Sequence, residues 1–515
     1  MDKKIIEENK DSEDKSISKF LPEQKSVDVK ENYAVNKKSI KELEKANKRK
    51  LAKARKQRAK ERKKKIQELY AERKKQEKEE IKRKEKKFRD QVCFGKNKGW
   101  FRLDNAASIY PSAVRKNWNF VFRISAVMKE KVNTQALQKA LDDVLERFPS
   151  FNVRLCAGFF WHYFEPNFNR LLIKKEKHFP CKPFDLYGRG GFLIRVIYSD
   201  YKISLEVFHG IADGRGALFF FNSLIARYIE LLGEEITNFI GCSSCLDLPT
   251  AEEMEDSFLV NQTKDKMHRP KERPAYKIKG NKMPDGMVNS TEGVMSVKAV
   301  KEVSKRYNST VSVFLAAIVG YSIYKKCLNS KKPTRISVPI DLRKQYNSKT
   351  LRNFSSYINV EIAGENLTFE DVLQIFKDKL GNIDENVLQA NINSNVGLQK
   401  NFFVKILPLF LKNIILKGSF NLLGENYQTL AFSNVGKVDC PVEFERHIDS
   451  YSVNLGRSMH NEKSIGVVSY GDKLNFCISS KLYEAETEKD IFSMLAGFGI
   501  DVTVYSNRRD LYGAK

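Results

Sequence analysis

Apolar positions change their spacing several times along the chain, and each change marks an element. In VNTQALQKALDDVLERF, residues 132–148, Ala136, Leu137, Ala140, Leu141, Val144, Leu145 and Phe148 recur every three or four residues. That spacing places them on one stripe of an amphipathic helix. FNVRLCAGFFWHYFEP, residues 151–166, reads as strand with a turn at Ala157-Gly158. FLIRVIYSDYKISLEVF, residues 192–208, reads as a hairpin folding at Ser199-Asp200. In its second arm Ile203, Leu205 and Val207 alternate with Ser204 and Glu206, the period of a strand. GALFFFNSLIARYIELLG, residues 216–233, is a strongly apolar helix closed by Gly233.

Residues 262–292 are polar and carry Pro270, Pro274, Pro284, Gly280 and Gly286, the composition of a linker. Beyond them the mixture repeats. Residues 309–327 read as a buried helix opened by Ser309 or Thr310, and 368–380 and 487–499 as further helices. RISVPI (335–340), SSYINVEI (355–362), LAFSNVG (430–436), SIGVVSY (464–470) and KLNFCISS (473–480) read as strands, the last two joined at Gly471-Asp472. Strands and helices mix in both halves, which predicts an α/β (α+β) chain of two lobes, each a mixed sheet flanked by helices. The expected boundaries are 95–265 for the first lobe, 266–292 for the linker and 293–515 for the second. NFFVKILPLFLKNIILKGSFNLLG, residues 401–424, is apolar but punctuated by Lys405, Lys412 and Lys417. It is expected to form a buried helix pair broken at Pro408, in preference to a segment resting on a membrane or covering an acyl chain.

Charge changes the picture mainly at one end. The chain of 515 residues carries a formal charge of +27. Residues 37–90 hold 26 Lys and Arg against 10 Asp and Glu, with no Gly or Pro and too few apolar residues for a coiled-coil seam. The expectation is a disordered stretch over 1–36 and a basic, solvated helical extension over 37–94. Such an arm can neutralise the phosphates of nucleic acid or an anionic membrane surface, although no aromatic interleaving supports base recognition. Eight scattered cysteines fit a reduced, cytoplasmic protein, and no run of about 18 apolar residues predicts a spanning helix. Cys242-Ser-Ser-Cys245 has metal-ligand spacing but lacks two further ligands, His268 being the nearest candidate; no metal is expected. His162, His178, His447 and His460 show no telling spacing.

The candidate chemistry lies in EVFHGIADGRG, residues 206–216. His209 ends an alternating strand and precedes a helix, where a loop side chain can project into a cleft. An imidazole there can take and return a proton near neutral pH. Gly210 and Gly214 permit a tight turn and close approach of a ligand. Asp213 is too near His209 in sequence for an ordinary charge relay, and if buried it needs a cation.

His209-Gly-Ile-Ala-Asp213-Gly214 after a strand resembles the His-x-x-x-Asp-Gly signature of the chloramphenicol acetyltransferase superfamily, which includes alcohol acyltransferases and peptide-synthetase condensation domains. Residues 137–155, 309–325, 338–358 and 431–441 resemble further segments of that superfamily, the last of them the strand before its crossover between lobes, so the likeness runs over roughly 97–515 and points in particular to bacterial alcohol acetyltransferase-like proteins. Phe208 stands where condensation domains carry a second histidine, and the Asp-Phe-Gly-Trp-Gly segment of the plant branch is absent.

The resemblance implies two lobes with a tunnel between them and acyl transfer from acyl-CoA, acetyl-CoA above all, as co-substrate to an alcohol or amine acceptor, with no bound cofactor. It implies His209 as general base and Asp213 paired across the lobes with Arg343 of Asp341-Leu-Arg343. Ser433 and Asn434 are candidates for holding the oxyanion or substrate, and Tyr357 and Asn353 are weaker ones. One chain can form a complete site as a monomer. Two alternatives stay open: amide formation from a donor on an acyl carrier protein, and a non-catalytic binding protein that recruits anionic partners through its arm.

Overall fold

The computed structural model describes residues 32–91, 99–114, 119–188, 190–264, 272–381, 383–423, 425–458 and 461–507. The disorder expected over 1–36 therefore falls almost wholly outside the described residues, as do His268 and His460. The basic stretch, free of helix breakers, forms one helix over Asn32–Gln91. Its described side chains are exposed, as a sequence without an apolar stripe requires. The chain divides into two units, Met1–Lys82 and Arg83–Lys515.

Within the larger unit the hairpin of residues 194–208 lies in a five-stranded sheet. Its order is Ile448–Leu455, Val121–Met128, Lys202–Phe208, Ile194–Ser199, Lys174–Lys175. Phe122, Ile124 and Ala126 stand opposite Val207, Leu205 and Ile203, and all six are buried in one core with the helices Thr134–Arg147 and Gly214–Leu231. The other face is polar. Arg123 pairs with buried Glu206 at 2.7 Å, and Ser125 meets Ser204 at 2.8 Å. A three-stranded sheet of Phe101–Arg102, His162–Pro166 and Val153–Ala157 lies beside it in sequence.

The second lobe holds a seven-stranded sheet ordered Ser355–Ile362, Thr334–Asp341, Leu430–Lys437, Lys463–Tyr470, Lys473–Ser480, Asn289–Ser296, Thr503–Ser506. The helix Val311–Tyr324 is buried almost all round, and Thr310 caps it by accepting from the Val313 amide. A helix without a polar face can be stable only in such a place.

Three expectations need correction. The linker does not run to 292, because residues 289–292 are already in a strand pairing with Lys473–Ser480. The second lobe is not continuous either. Ile448–Leu455 leaves it and pairs antiparallel with Val121–Met128, completing the first lobe's sheet. Tyr451 and Val453 enter the first lobe's core, which supplies the reason. Last, residues 401–424 do break at Pro408, into helices Phe402–Ile406 and Leu409–Leu423, but the pair is not buried. Phe402, Ile406, Phe410, Ile414 and Ile415 are exposed, while Lys412 is covered.

Candidate active site

The strand Lys202–Phe208 delivers His209 to the edge of the first lobe's core. Its backbone amide donates to the Phe120 carbonyl at 2.8 Å. The half-buried ring lies between Tyr110 and Phe122, with centroids 5.2 and 5.3 Å away. Nδ1 of His209 lies 2.9 Å from Oδ1 of Asn353, a residue of the second lobe. The Asn353 amide nitrogen donates to Asp104 Oδ2 at 3.0 Å. With the amide nitrogen donating to Asp104, Oδ1 is turned to the histidine. An amide oxygen only accepts, so in a neutral ring bonded to it Nδ1 carries the proton and Nε2 the lone pair.

Asp104 is wholly buried and further accepts from the Ala107 amide at 2.7 Å, with Arg352 Nε 3.6 Å away. Burial pushes its carboxyl up from the ordinary range, against the pull of Arg352 and Asn353. The Tyr110 hydroxyl is raised by burial and then by the charges of Asp104 and Asp213.

Four residues beyond His209, Asp213 caps the helix Gly214–Leu231, its Oδ1 accepting from the Gly216 amide at 3.1 Å. Both oxygens also receive Arg343: NH1 donates to Oδ2 at 3.0 Å and NH2 to Oδ1 at 2.9 Å. The guanidinium spends its other donors on the Thr350 and Arg352 carbonyls and on Asp341. All five of its N–H groups are thus placed, in the planar geometry that makes arginine the fit partner for a carboxylate. Burial alone pushes the Asp213 carboxyl up; Arg343, with the Phe354 and Gly216 amides, outweighs it and holds the group below 3.8. Asp213 thus joins the lobes.

The other candidates separate. Asn353, one of the weaker candidates, is the one among them that touches His209. Asp341 holds Arg343 and lies 3.7 Å from Arg215. Asn434 spends its amide at home, accepting from the Gly436 amide and donating to Ser312, which fixes a bulge in its strand. Ser433, half-buried, pairs with Gly466 in that strand. Tyr357 is exposed, opposite Pro339 in its sheet. Gly214 faces open space. A Cβ there would meet nothing nearer than Val435 Cγ2 at 3.9 Å, whereas at Gly216 it would strike the Leu351 carbonyl oxygen at 1.9 Å. The tight contact is lobe against lobe.

Asp104, Arg352 and Tyr110 were beyond sequence reasoning, since only the fold brings them together. A cavity of about 710 Å³ opens between the lobes over Arg123, Ser125, Ser290, Glu292, Ser452 and Asn454, on the polar face of the first lobe's sheet. Among the described residues no group of three metal-donor side chains converges. Burial lifts the Cys242 and Cys245 thiols to about 12. His162 is buried beside Tyr187, and His447 pairs with Glu234.

No family model and no curated protein matches the chain. Solved structures do. Polyketide synthase associated protein 5 from Mycobacterium tuberculosis is 14% identical with a TM-score of 0.51, over 77% of this chain and 97% of that one. TRI101 of F. graminearum, solved with coenzyme A and T-2 mycotoxin, is 13% identical with a TM-score of 0.52, over 76% and 96%. A variant of the starter condensation domain of rhizomide synthetase, solved with C8-CoA, is 10% identical with a TM-score of 0.51, over 79% and 98%. The chain thus has the two-lobed chloramphenicol acetyltransferase-like fold that acetyltransferases and condensation domains share.

Proposed function

We propose that the protein is an acyltransferase that moves an acyl group, acetyl above all, from coenzyme A to a hydroxyl or amine acceptor, with His209 as general base. The observation that carries this reading is the His209–Asn353 contact, in which Nδ1 meets an amide oxygen on a loop that Asp213 and Arg343 clamp between the lobes. That two structures of this fold were solved with coenzyme A or C8-CoA supports the donor class. In the reaction the acceptor's O–H or N–H proton passes to Nε2 while its heteroatom attacks the thioester carbonyl. The tetrahedral oxyanion collapses, the C–S bond breaks, and His209 returns the proton to the departing thiolate.

The test is thiol release by the full chain from a panel of acyl-CoAs with mixed alcohols and amines, the products identified by mass spectrometry. Release that needs an acceptor, and that falls about 10²–10⁴-fold in His209→Ala, is the expected result. Failure with every acyl-CoA but turnover of an acyl carrier protein thioester would make the donor carrier-bound. Failure of both by a folded protein would overturn the enzymatic reading.

A further inference from the structure

The helix Leu409–Leu423 is built inside out. Phe410 and Ile414 are each 65% exposed, and Leu411 and Ile415 lie beside them at the same four-residue spacing. Lys412, on the inner side, is only 2% exposed. Its Nζ donates to the Phe160 carbonyl at 2.9 Å and sits 3.5 Å from the centre of the Trp161 ring. A helix serving only its own core would reverse these assignments. The pattern continues in space. Phe402 (68% exposed) and Ile406 come from the preceding helix, and Phe159 (70%) and Phe160 from a separate loop. The Leu409 amide, donating to the Phe159 carbonyl at 2.8 Å, ties that loop to the helix. Eight large apolar side chains from two distant parts of the chain therefore gather on one face, more than scattered surface residues explain.

Charge decides what the face fits. Between Glu385 and Glu425 there is no Asp or Glu, but there are four lysines, Lys400, Lys405, Lys412 and Lys417. Lys400 and Lys405 are exposed. An apolar helix face accompanied by lysines and free of acids is the composition that settles into a headgroup–acyl boundary. We propose that this face docks on an anionic lipid bilayer, with the helix Leu409–Leu423 lying in the plane of the interface. On its inner side the helix holds the short helix Tyr110–Ala113, Ser112 Oγ lying 2.5 Å from Asn413 Oδ1, and Tyr110 packs on His209. Docking would bring the His209 loop close to the membrane.

The experiment is co-sedimentation of the full chain with phosphatidylcholine–phosphatidylglycerol vesicles at high salt, where the charge of the basic arm is screened. The wild type is compared with Phe410→Asp/Ile414→Asp. Both substituted side chains are exposed, so the variant folds, which its circular dichroism and thermal midpoint check. Vesicle binding should fall at least about tenfold in the variant, given that two large apolar side chains leave the lipid. Equal binding by both proteins, or no binding by the wild type, would overturn the proposal. So would a wild-type dimer, seen by light scattering without vesicles, that the double substitution splits into monomers; the occupant would then be a second copy.

Discussion

Asn353 hydrogen-bonds to the histidine and to Asp104 through opposite ends of one amide, so its chemistry cannot be swapped for another of the same size. In Asn353→Asp the atom facing Asp104 becomes an oxygen and must carry a proton or repel. Asn353→Ala should lower kcat about tenfold, part of the 10²–10⁴ that a general base supplies, with KM for the acceptor nearly unchanged. Steady-state kinetics with the substrate pair found by the panel would check it; an equal rise in KM would mean that the amide binds substrate. The strand and helix on either side of His209 and Asp213 were legible in sequence because they are contiguous. Asn353 was undervalued for the opposite reason, its partners lying 144 and 249 residues away. Asp104 carries no local signal at all in RLDNAAS.

At the scale of elements, one carboxylate starts the helix Gly214–Leu231 and also fastens it to the loop of residues 343–354. Gly216 lets the two pack at backbone distance. The folded carboxyl of Asp213 titrates lower than the unfolded one, so its stabilisation is present above pH 3.8 and is lost as pH falls through the folded value. Asp213→Asn should therefore cost about 3 kcal/mol at neutral pH, since it leaves Arg343 short of its main partner. The difference from wild type should shrink in acid, which denaturant titrations at several pH values would measure. A cost that does not change with pH would show that the ion pair is not what is lost, since asparagine caps a helix about as well as aspartate. Most helices and strands were legible from period alone. The strand Val121–Met128 was not expected, although Phe122, Ile124, Ala126 and Met128 alternate with Arg123 and Ser125. The exposed face of Leu409–Leu423 was not legible, because an apolar run reads the same whether it meets a core or a bilayer.

For the whole molecule, the expected plan of two sheet-and-helix lobes holds, and no described helix is long and apolar enough to cross a membrane. What period could not give is which strand makes the crossover between lobes, Ile448–Leu455, and what it pairs with. Its pairing lies with residues more than 300 positions earlier, and period says nothing about which sheet a strand joins. A chain with Ser452→Pro and Val453→Pro would keep every other strand of both sheets, yet deprive Val121–Met128 of its outer partner. Its soluble yield should fall to a small fraction of that of the wild type; equal yield would show that the first lobe closes without the strand.

The same crossover sets a timetable for synthesis. Met128 and Ile448 are 320 positions apart. At about 5–20 residues per second a ribosome needs roughly 16–64 s to make that stretch. Throughout that interval the emerging first lobe presents an unfinished sheet, so this protein's early exposure to chaperones and proteases is written into the order of its strands.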